Sequence, residues 1–231
     1  MNVLAVIPAR GGSKSIPLKN IKELHGKPLL KYTIESAQRS ASINRIVVST
    51  DNFHIAKVAE ECGIEVIMRP AELATDEAPT EWALLHVLDE LKDREKYDPD
   101  VVLTLEPTSP FRSPETIDRC VEIFMTTDAD SVIGVVETRS CYGRFTQGRF
   151  EFLFPGQPRR RQEREPLFRE SSTIYGTRVE VLRRKRSVLG DKLYPLVISE
   201  DQAVDINTLF DFEIAEVLMK ERLKSFEGGV S

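Results

Sequence analysis

Three stretches of this sequence hold residue types able to do chemistry. The first is Ala9-Arg10-Gly11-Gly12-Ser13-Lys14-Ser15-Ile16-Pro17-Leu18-Lys19-Asn20, directly after the apolar run Val3–Ile7. An apolar strand that opens into a loop with glycines and cations suits a phosphate. Glycines let successive backbone N–H groups converge on one anion, and Arg10, Lys14 and Lys19 bring charge enough for a triphosphate. The loop is not a P-loop, because no second glycine precedes Lys14 at the required spacing. It is not a dinucleotide fingerprint either, since only Gly11 and Gly12 are present. The competing reading is an ordinary strand-to-helix loop with solvated lysines. The second stretch, Pro107-Thr108-Ser109-Pro110-Phe111-Arg112, is a stiff turn that offers two hydroxyls at a strand end. The third is the densest cationic run, Arg159-Arg160-Arg161-Gln162 with Arg164 and Arg169. Such a run is usually a solvated face, but arginine also grips carboxylates through two parallel hydrogen bonds.

The elements that must position these residues follow from the apolar pattern. Runs of strand length recur at Val3–Ile7, Arg45–Ser49, Glu65–Met68, Val101–Leu105 and Ser131–Val136. Helical spacing separates them at Leu29–Arg39 after Pro28, Ile55–Cys62, Trp82–Leu91 and Pro114–Phe124, the last with Ser113 as N-cap and Pro114 in the first turn. Alternation of this kind predicts an α/β fold with a mostly parallel sheet covered on both faces. Ligands of such sheets bind outside the carboxyl ends of the strands, where the first loop, Ser49-Thr50-Asp51 and the 106–112 turn all fall. The pattern breaks after Glu137: Tyr142 to Arg169 shows no clean period and reads as a long excursion. Strands return at Thr173–Thr177 and Tyr194–Ile198. A helix from about Phe210 to Leu223 follows, and the tail Gly228–Ser231 is expected to fray.

Composition sets bounds. The 231 residues suit one domain, and a hydrophobic content of 41% with 30% charged residues is globular. A net charge of −5 argues against bulk attraction to nucleic acid or membrane. Cys62, Cys120 and Cys141 form no C-x-x-C pair, which argues against a zinc site and a disulfide framework. With no secretory-type leader and no apolar run of spanning length, the expectation is a reduced, cytoplasmic protein without a membrane partner. His25, His54 and His86 are scattered and suggest no chemistry.

Four segments together resemble a known family: 8–14 with Leu18-Lys19-Asn20; Val48-Ser49-Thr50-Asp51 followed by Arg69-Pro70-Ala71-Glu72-Leu73-Ala74; 107–112; and Phe168-Arg169 through Ile174-Tyr175 with Asp205-Ile206-Asn207-Thr208. In order and spacing they resemble the acylneuraminate cytidylyltransferases, or CMP-sialic acid synthetases, over nearly the whole chain. The resemblance implies a Rossmann-like nucleotidyltransferase sheet spanning 1–231 as a single domain. A protruding dimerisation segment at about 138–170 and a homodimer come with it. It implies CTP as co-substrate and Mg²⁺ as cofactor. The reaction implied is transfer of CMP to a nonulosonic 2-keto-3-deoxy sugar acid, with pyrophosphate released.

Carried over residue by residue, the resemblance makes Arg10 and Lys14 triphosphate contacts and Lys19 the contact to the reacting phosphate. It places Ala9, Arg10, Asn20, Arg69, Ala78 and Thr80 around the nucleotide. It puts Glu106, Thr108, Ser109, Arg161, Arg169 and Tyr175 around the sugar, and Asp205 and Asn207 on the metal. The chain departs from the family pattern in three places: Glu106 stands where a glutamine is usual, Ser171-Ser172-Thr173 replaces Asn-Gly-Ala, and Asn207 replaces an aspartate. Asn207 has a second reading as an Asx-turn that caps the following helix. Two alternatives for the whole chain remain. One is a related nucleotidyltransferase acting on an eight-carbon keto acid or a sugar phosphate. The other is a catalytically weak nucleotide-binding homologue.

Overall fold

The computed structural model describes residues 1–227, so the tail from Gly228 lies outside the described residues. The chain opens with β1 (Val3–Pro8), the short hairpin β2 (Glu23–Leu24) and β3 (Lys27–Pro28), and α1 (Leu29–Arg39). It continues through β4 (Arg45–Thr50), α2 (Phe53–Glu61), β5 (Glu65–Met68), α3 (Thr80–Glu95), β6 (Val101–Thr104) and α4 (Pro114–Thr126). Then come β7 (Ser131–Thr138), β8 (Gly143–Thr146), β9 (Arg149–Phe152), β10 (Leu167–Arg178), α5 (Val179–Lys185), β11 (Leu193–Val197) and α6 (Leu209–Glu227). Among the described residues the main sheet has seven strands in the order β11-β7-β10-β6-β1-β4-β5. β1 pairs in parallel with both β4 and β6, and only β10 runs against its neighbours.

The continuous apolar run of β1 has a simple cause: both faces of the sheet are covered, so every residue of the strand is buried. Alternate side chains go to opposite layers. Val3, Ala5 and Ile7 pack with Leu30, Ile34, Ile55 and Phe124 of α1, α2 and α4. Leu4 and Val6 pack with Leu84, Leu88, Leu91 and Leu182 of α3 and α5. A third cluster holds Ile16, Leu24, Leu29, Phe111, Ile206 and Phe212 together, and so ties the first loop to the 106–112 turn and to α6. Because β4 and β6 leave β1 on opposite sides, their carboxyl ends diverge there and open a crevice.

Helix starts agree with their residues. The Ser113 hydroxyl accepts from Thr116 N at 3.2 Å with Pro114 in the first turn, and Asn52 caps α2 by accepting from His54 N at 2.9 Å. Pro28, expected early in α1, instead ends β3 and precedes the helix. Cys62 stands just past α2 as its C-cap and is only partly buried, while Cys120 is buried in α4. The 142–169 excursion contains more order than its composition suggests. β8 and β9 form a hairpin through Gln147 (φ 51°) and Gly148 (φ 77°), a turn whose twist suits antiparallel strands. β10 begins at Leu167, six residues before the expected strand, and helix α5 follows it without having been anticipated.

Candidate active site

The crevice at the carboxyl ends of β1 and β6, with the 69–80 segment along one side, is a cavity of about 620 Å³, and Ser49-Thr50-Asp51 does not line it. Of the residues singled out from the sequence, it brings together Arg10, Lys19, Asn20, Arg69, Ala78, Thr80, Glu106, Thr108, Tyr175, Asp205 and Asn207 on its walls. Ala9 and Ser109 are fully buried behind them. Ala9 N donates to Ser49 O at 2.9 Å, and the Ser109 hydroxyl lies 3.4 Å from that of Ser172. Lys14, Arg161 and Arg169 do not line this chain's cavity. Lys14 is mostly exposed, Arg161 lies in a short 3-10 turn beyond the β8–β9 hairpin, and Arg169 is exposed on β10.

At one end of the cavity the first loop faces the 69–80 segment. Arg69 is 8% exposed. It donates to Ser49 O at 2.7 Å and Leu73 O at 3.4 Å, and burial pushes its pKa down. Its Nε is buried without a partner among the described residues, so this arginine has a donor to spare. Asn20 donates to Arg10 O at 2.9 Å and holds the loop's shape. The two glycines differ in use. Gly11 N–H is already spent on Asp51 Oδ1 at 2.8 Å, and a Cβ on Gly11 would come within 2.8 Å of Asn52, so glycine is needed there for close approach. Gly12 is open and lines the cavity. The Gly11 amide is therefore committed to the loop's own packing against Asp51 and is not open to an anion.

Lys19 sits at the centre. Leu18 before it adopts a left-handed conformation (φ 49°), rare for a bulky side chain, and this turn aims Lys19 inward. The ammonium donates to Ile206 O at 2.7 Å, across 187 positions of sequence. Burial lowers its pKa, while Asp205 and Glu106 pull it back up. Asp205 accepts from Asn207 Nδ2 at 2.7 Å on Oδ2, and its Oδ1 is buried without a partner among the described residues. Asn207 therefore does not cap α6. Thr208 and Asp211 do, as a reciprocal capping box: Asp211 N donates to Thr208 Oγ1 at 3.2 Å, and Thr208 N to Asp211 Oδ2 at 2.7 Å.

Glu106 faces the same space. Burial and the nearby Asp205 push its carboxyl up to about 7 against the opposing pull of Arg112, and nothing among the described residues donates a hydrogen bond to that carboxylate. Arg112, buried behind the wall, does not pair with it through the carboxylate. It donates to Thr173 O, to the backbone carbonyl of Glu106 at 2.9 Å and to Thr33 Oγ1 at 3.3 Å, and so staples the 106–112 turn to β10 and α1. Burial pushes its pKa down to about 9.

At the far end, Tyr175 OH donates to Glu170 Oε1 at 2.8 Å beside Ser172. A register shift in β10 between Ser171 and Tyr175 brings Ser172 to the cavity. Glu170, Ser172, Asp76 and the 187–189 loop line the cavity without having been singled out as site residues. The bulge and the turn that place them have no periodic signature, which is why sequence reasoning passed over them.

The donor set bears on a divalent cation. Among the described residues no group of three or more His, Cys, Asp or Glu is placed to hold a metal ion. One carboxylate with an unsatisfied buried oxygen, next to a carboxamide, suits Mg²⁺ shared with phosphate oxygens and water rather than a cage built by protein alone.

The cytidylyltransferase family model matches residues 4–210 of this chain. This chain is 35% identical over 232 residues to a CMP-N,N'-diacetyllegionaminic acid synthase of Legionella pneumophila, covering 95% of this chain and 97% of that protein. It is 31% identical over 219 residues to an N-acylneuraminate cytidylyltransferase of Streptococcus agalactiae, covering 92% of this chain and 52% of that longer protein. In fold it is similar to a CMP:2-keto-3-deoxy-manno-octonic acid synthetase solved with CTP. The TM-score is 0.72 at 17% identity, covering 96% of this chain and all of that one. The family match and these relatives make the protein a nucleotidyltransferase. More narrowly, it belongs to the cytidylyltransferase family.

Proposed function

We propose that this protein transfers CMP from CTP to the anomeric hydroxyl of a nonulosonic, sialic-acid-like 2-keto-3-deoxy sugar acid. The sugar oxygen bonds to the α-phosphorus, the bond from that phosphorus to the β-phosphate bridging oxygen breaks, and pyrophosphate leaves. The observation that carries the reading is the position of Lys19 and Asp205 in one cavity, between a cationic loop and a wall of hydroxyls and carboxylates. The family membership and the names of the relatives support the same reaction.

Each residue then has a role that its chemistry suits. Asn20, Arg69, Ala78 and Thr80 hold the nucleoside, with Ala9 setting the strand end behind them. Arg10 and Lys14 take the β- and γ-phosphates. Lys19 compensates the charge that grows on the α-phosphoryl group, in a partly buried place where a fixed cation is worth more than in water. Asp205, with Asn207 beside it, would hold Mg²⁺, which supplies further charge neutralisation on the triphosphate. Glu106, Thr108 and Tyr175 meet the sugar, with Ser109 behind. Glu106 is tuned to take the hydroxyl proton near neutral pH.

Of the two arginines on the cavity wall, Arg10 goes to the phosphates and Arg69 to the nucleoside in this reading, and Arg112 behind the wall is committed to carbonyls and Thr33, so none of the three is left for the sugar's own carboxylate. We infer that Arg161 and Arg169 serve it from a second copy. The segment 138–170 is the dimerisation arm of a single-domain chain: Phe145 is 82% exposed, and Phe150, Phe152 and Phe168 are about half exposed. Aromatic surface of this extent is characteristic of a protein interface. No helix among the described residues is long and apolar enough to cross a membrane, and we place the enzyme in the cytoplasm.

The test is direct. Purified protein with CTP, Mg²⁺ and a panel of eight- and nine-carbon keto sugar acids and sugar phosphates releases pyrophosphate with at least one nine-carbon acid. Release with an eight-carbon acid or a sugar phosphate alone, or with none, refutes the assignment.

A further inference from the structure

The two outer cations of the first loop converge on one carboxylate. Asp76 receives Arg10 Nη1 on Oδ1 at 2.9 Å and Lys14 Nζ on Oδ2 at 2.7 Å. Arg10 also donates to Thr75 O at 2.9 Å. Asp76 lies in the turn that leads to α3, and with Arg10 it forms part of the cavity wall. Its carboxyl is held below the usual carboxylate range by these two cations, the lysine first.

A carboxylate and a phosphoryl group ask the same of an arginine and a lysine: two or more donors aimed at adjacent anionic oxygens. Asp76 satisfies both cations, one on each oxygen. Phosphate oxygens that reach Arg10 and Lys14 must take these donors from Asp76, and the like charges repel each other. The exchange is easy, because these pairs are solvent-exposed. Asp76 is 36% exposed and Lys14 83%, and exposed ion pairs hold weakly.

We propose that Asp76 is a positioning residue that competes with phosphate for Arg10 and Lys14, keeping both cations gathered at the cavity mouth and reclaiming them as pyrophosphate leaves. This rests on the reading above that the first loop binds the triphosphate. A purely structural tie between the loop and the 75–77 turn makes the opposite prediction: its loss would weaken binding, whereas loss of a competitor strengthens it.

The Asp76→Asn variant separates the two, with titration calorimetry of inorganic pyrophosphate, CTP and cytidine. Pyrophosphate and CTP bind the variant about three- to tenfold more tightly, the scale of two exposed ion pairs. Cytidine, which lacks phosphates, binds both proteins equally. Under turnover the variant shows a lower KM for CTP and stronger product inhibition by pyrophosphate. Asp76→Glu, which keeps the anion, restores the original values. Unchanged or weaker pyrophosphate binding by Asp76→Asn, while wild-type protein binds CTP, overturns the role of Asp76 and leaves the function standing. A wild-type protein that binds neither CTP nor pyrophosphate refutes the triphosphate reading, and the inference falls with it.

Discussion

Lys19 and Glu106 carry opposite charges into the same cavity, and both are shifted by burial toward their neutral forms. For Lys19 the carboxylates of Asp205 and Glu106 oppose that shift. Removing it in Lys19→Ala lowers kcat by roughly 10²- to 10³-fold, the usual cost of losing a fixed stabiliser of transition-state charge, with a smaller change in CTP affinity. Initial-rate kinetics beside a binding titration measure this split, and an equal loss in both would assign Lys19 to ground-state binding instead.

Glu106 gives a pH prediction with a definite sign. Its folded carboxyl titrates near 7, against an ordinary value of 4.5. Between those values the unfolded chain binds fewer protons than the folded one, so wild-type stability falls as pH rises through this window. The cost is absent below about 4.5 and complete above about 7. Glu106→Gln removes it, so the variant's stability advantage grows across the window to the order of 1–2 kcal/mol, less than the full shift because the side chain is partly exposed to solvent. Denaturant midpoints at pH 5 and pH 8 measure it, and an advantage that does not change with pH contradicts the burial argument. The same variant flattens the rise of kcat/KM with pH near 7 if the carboxylate takes the proton.

At the level of elements, the site depends on three connections outside the sheet and the α-helices: the 9–20 loop, which runs into a 3-10 turn at Lys19–Ile21, the 106–112 turn and the 205–208 turn. Each is held by chemistry that its own residues declare. Gly11 admits Asn52, Arg112 staples carbonyls, and Thr208 with Asp211 starts α6. The capping box also fixes the turn that carries Asp205 and Asn207, since Asn207 N donates to Asp211 at 3.0 Å. Thr208→Ala therefore destabilises the protein by about 1 kcal/mol. Chemical unfolding measures it, and an unchanged midpoint would show that the box does not hold the helix start.

The hairpin of β8 and β9 was not legible in the sequence, for a physical reason. Strand alternation is visible only when one face is buried, and every residue of β9 is exposed in the isolated chain. Its turn, Gln147-Gly148, also lacks the Asn or Asp that usually marks such a connection. β10 was read short because its first half pairs with β7 beyond the edge of the main core, where exposed Phe168 and Arg169 break the apolar pattern.

For the whole molecule, the question is how many copies complete one site. The arm 138–170 presents aromatic surface and eight of the chain's arginines within a protein of net charge −5. An aromatic, basic arm on an acidic body is the charge pattern that the proposed second copy would complement. Phe145→Ser with Phe150→Ser yields a monomer by light scattering with transferase activity reduced at least tenfold, while CTP binding, built within one chain, persists. A wild-type protein that is monomeric and fully active would place the sugar's carboxylate on other residues.

The sequence by itself determined the layered α/β class and the cationic character of the loop after β1, because both follow from patterns among neighbouring residues: a strand covered on both faces must be continuously apolar, and the loop's charges lie close together along the chain. Only the tertiary structure decided which of those cations face the cavity, that Lys19 donates to Ile206 O, and that Asp76 holds Arg10 and Lys14. These contacts join segments tens to nearly two hundred positions apart. They are set by sheet order, register and the bulge in β10, none of which leaves a trace in local spacing.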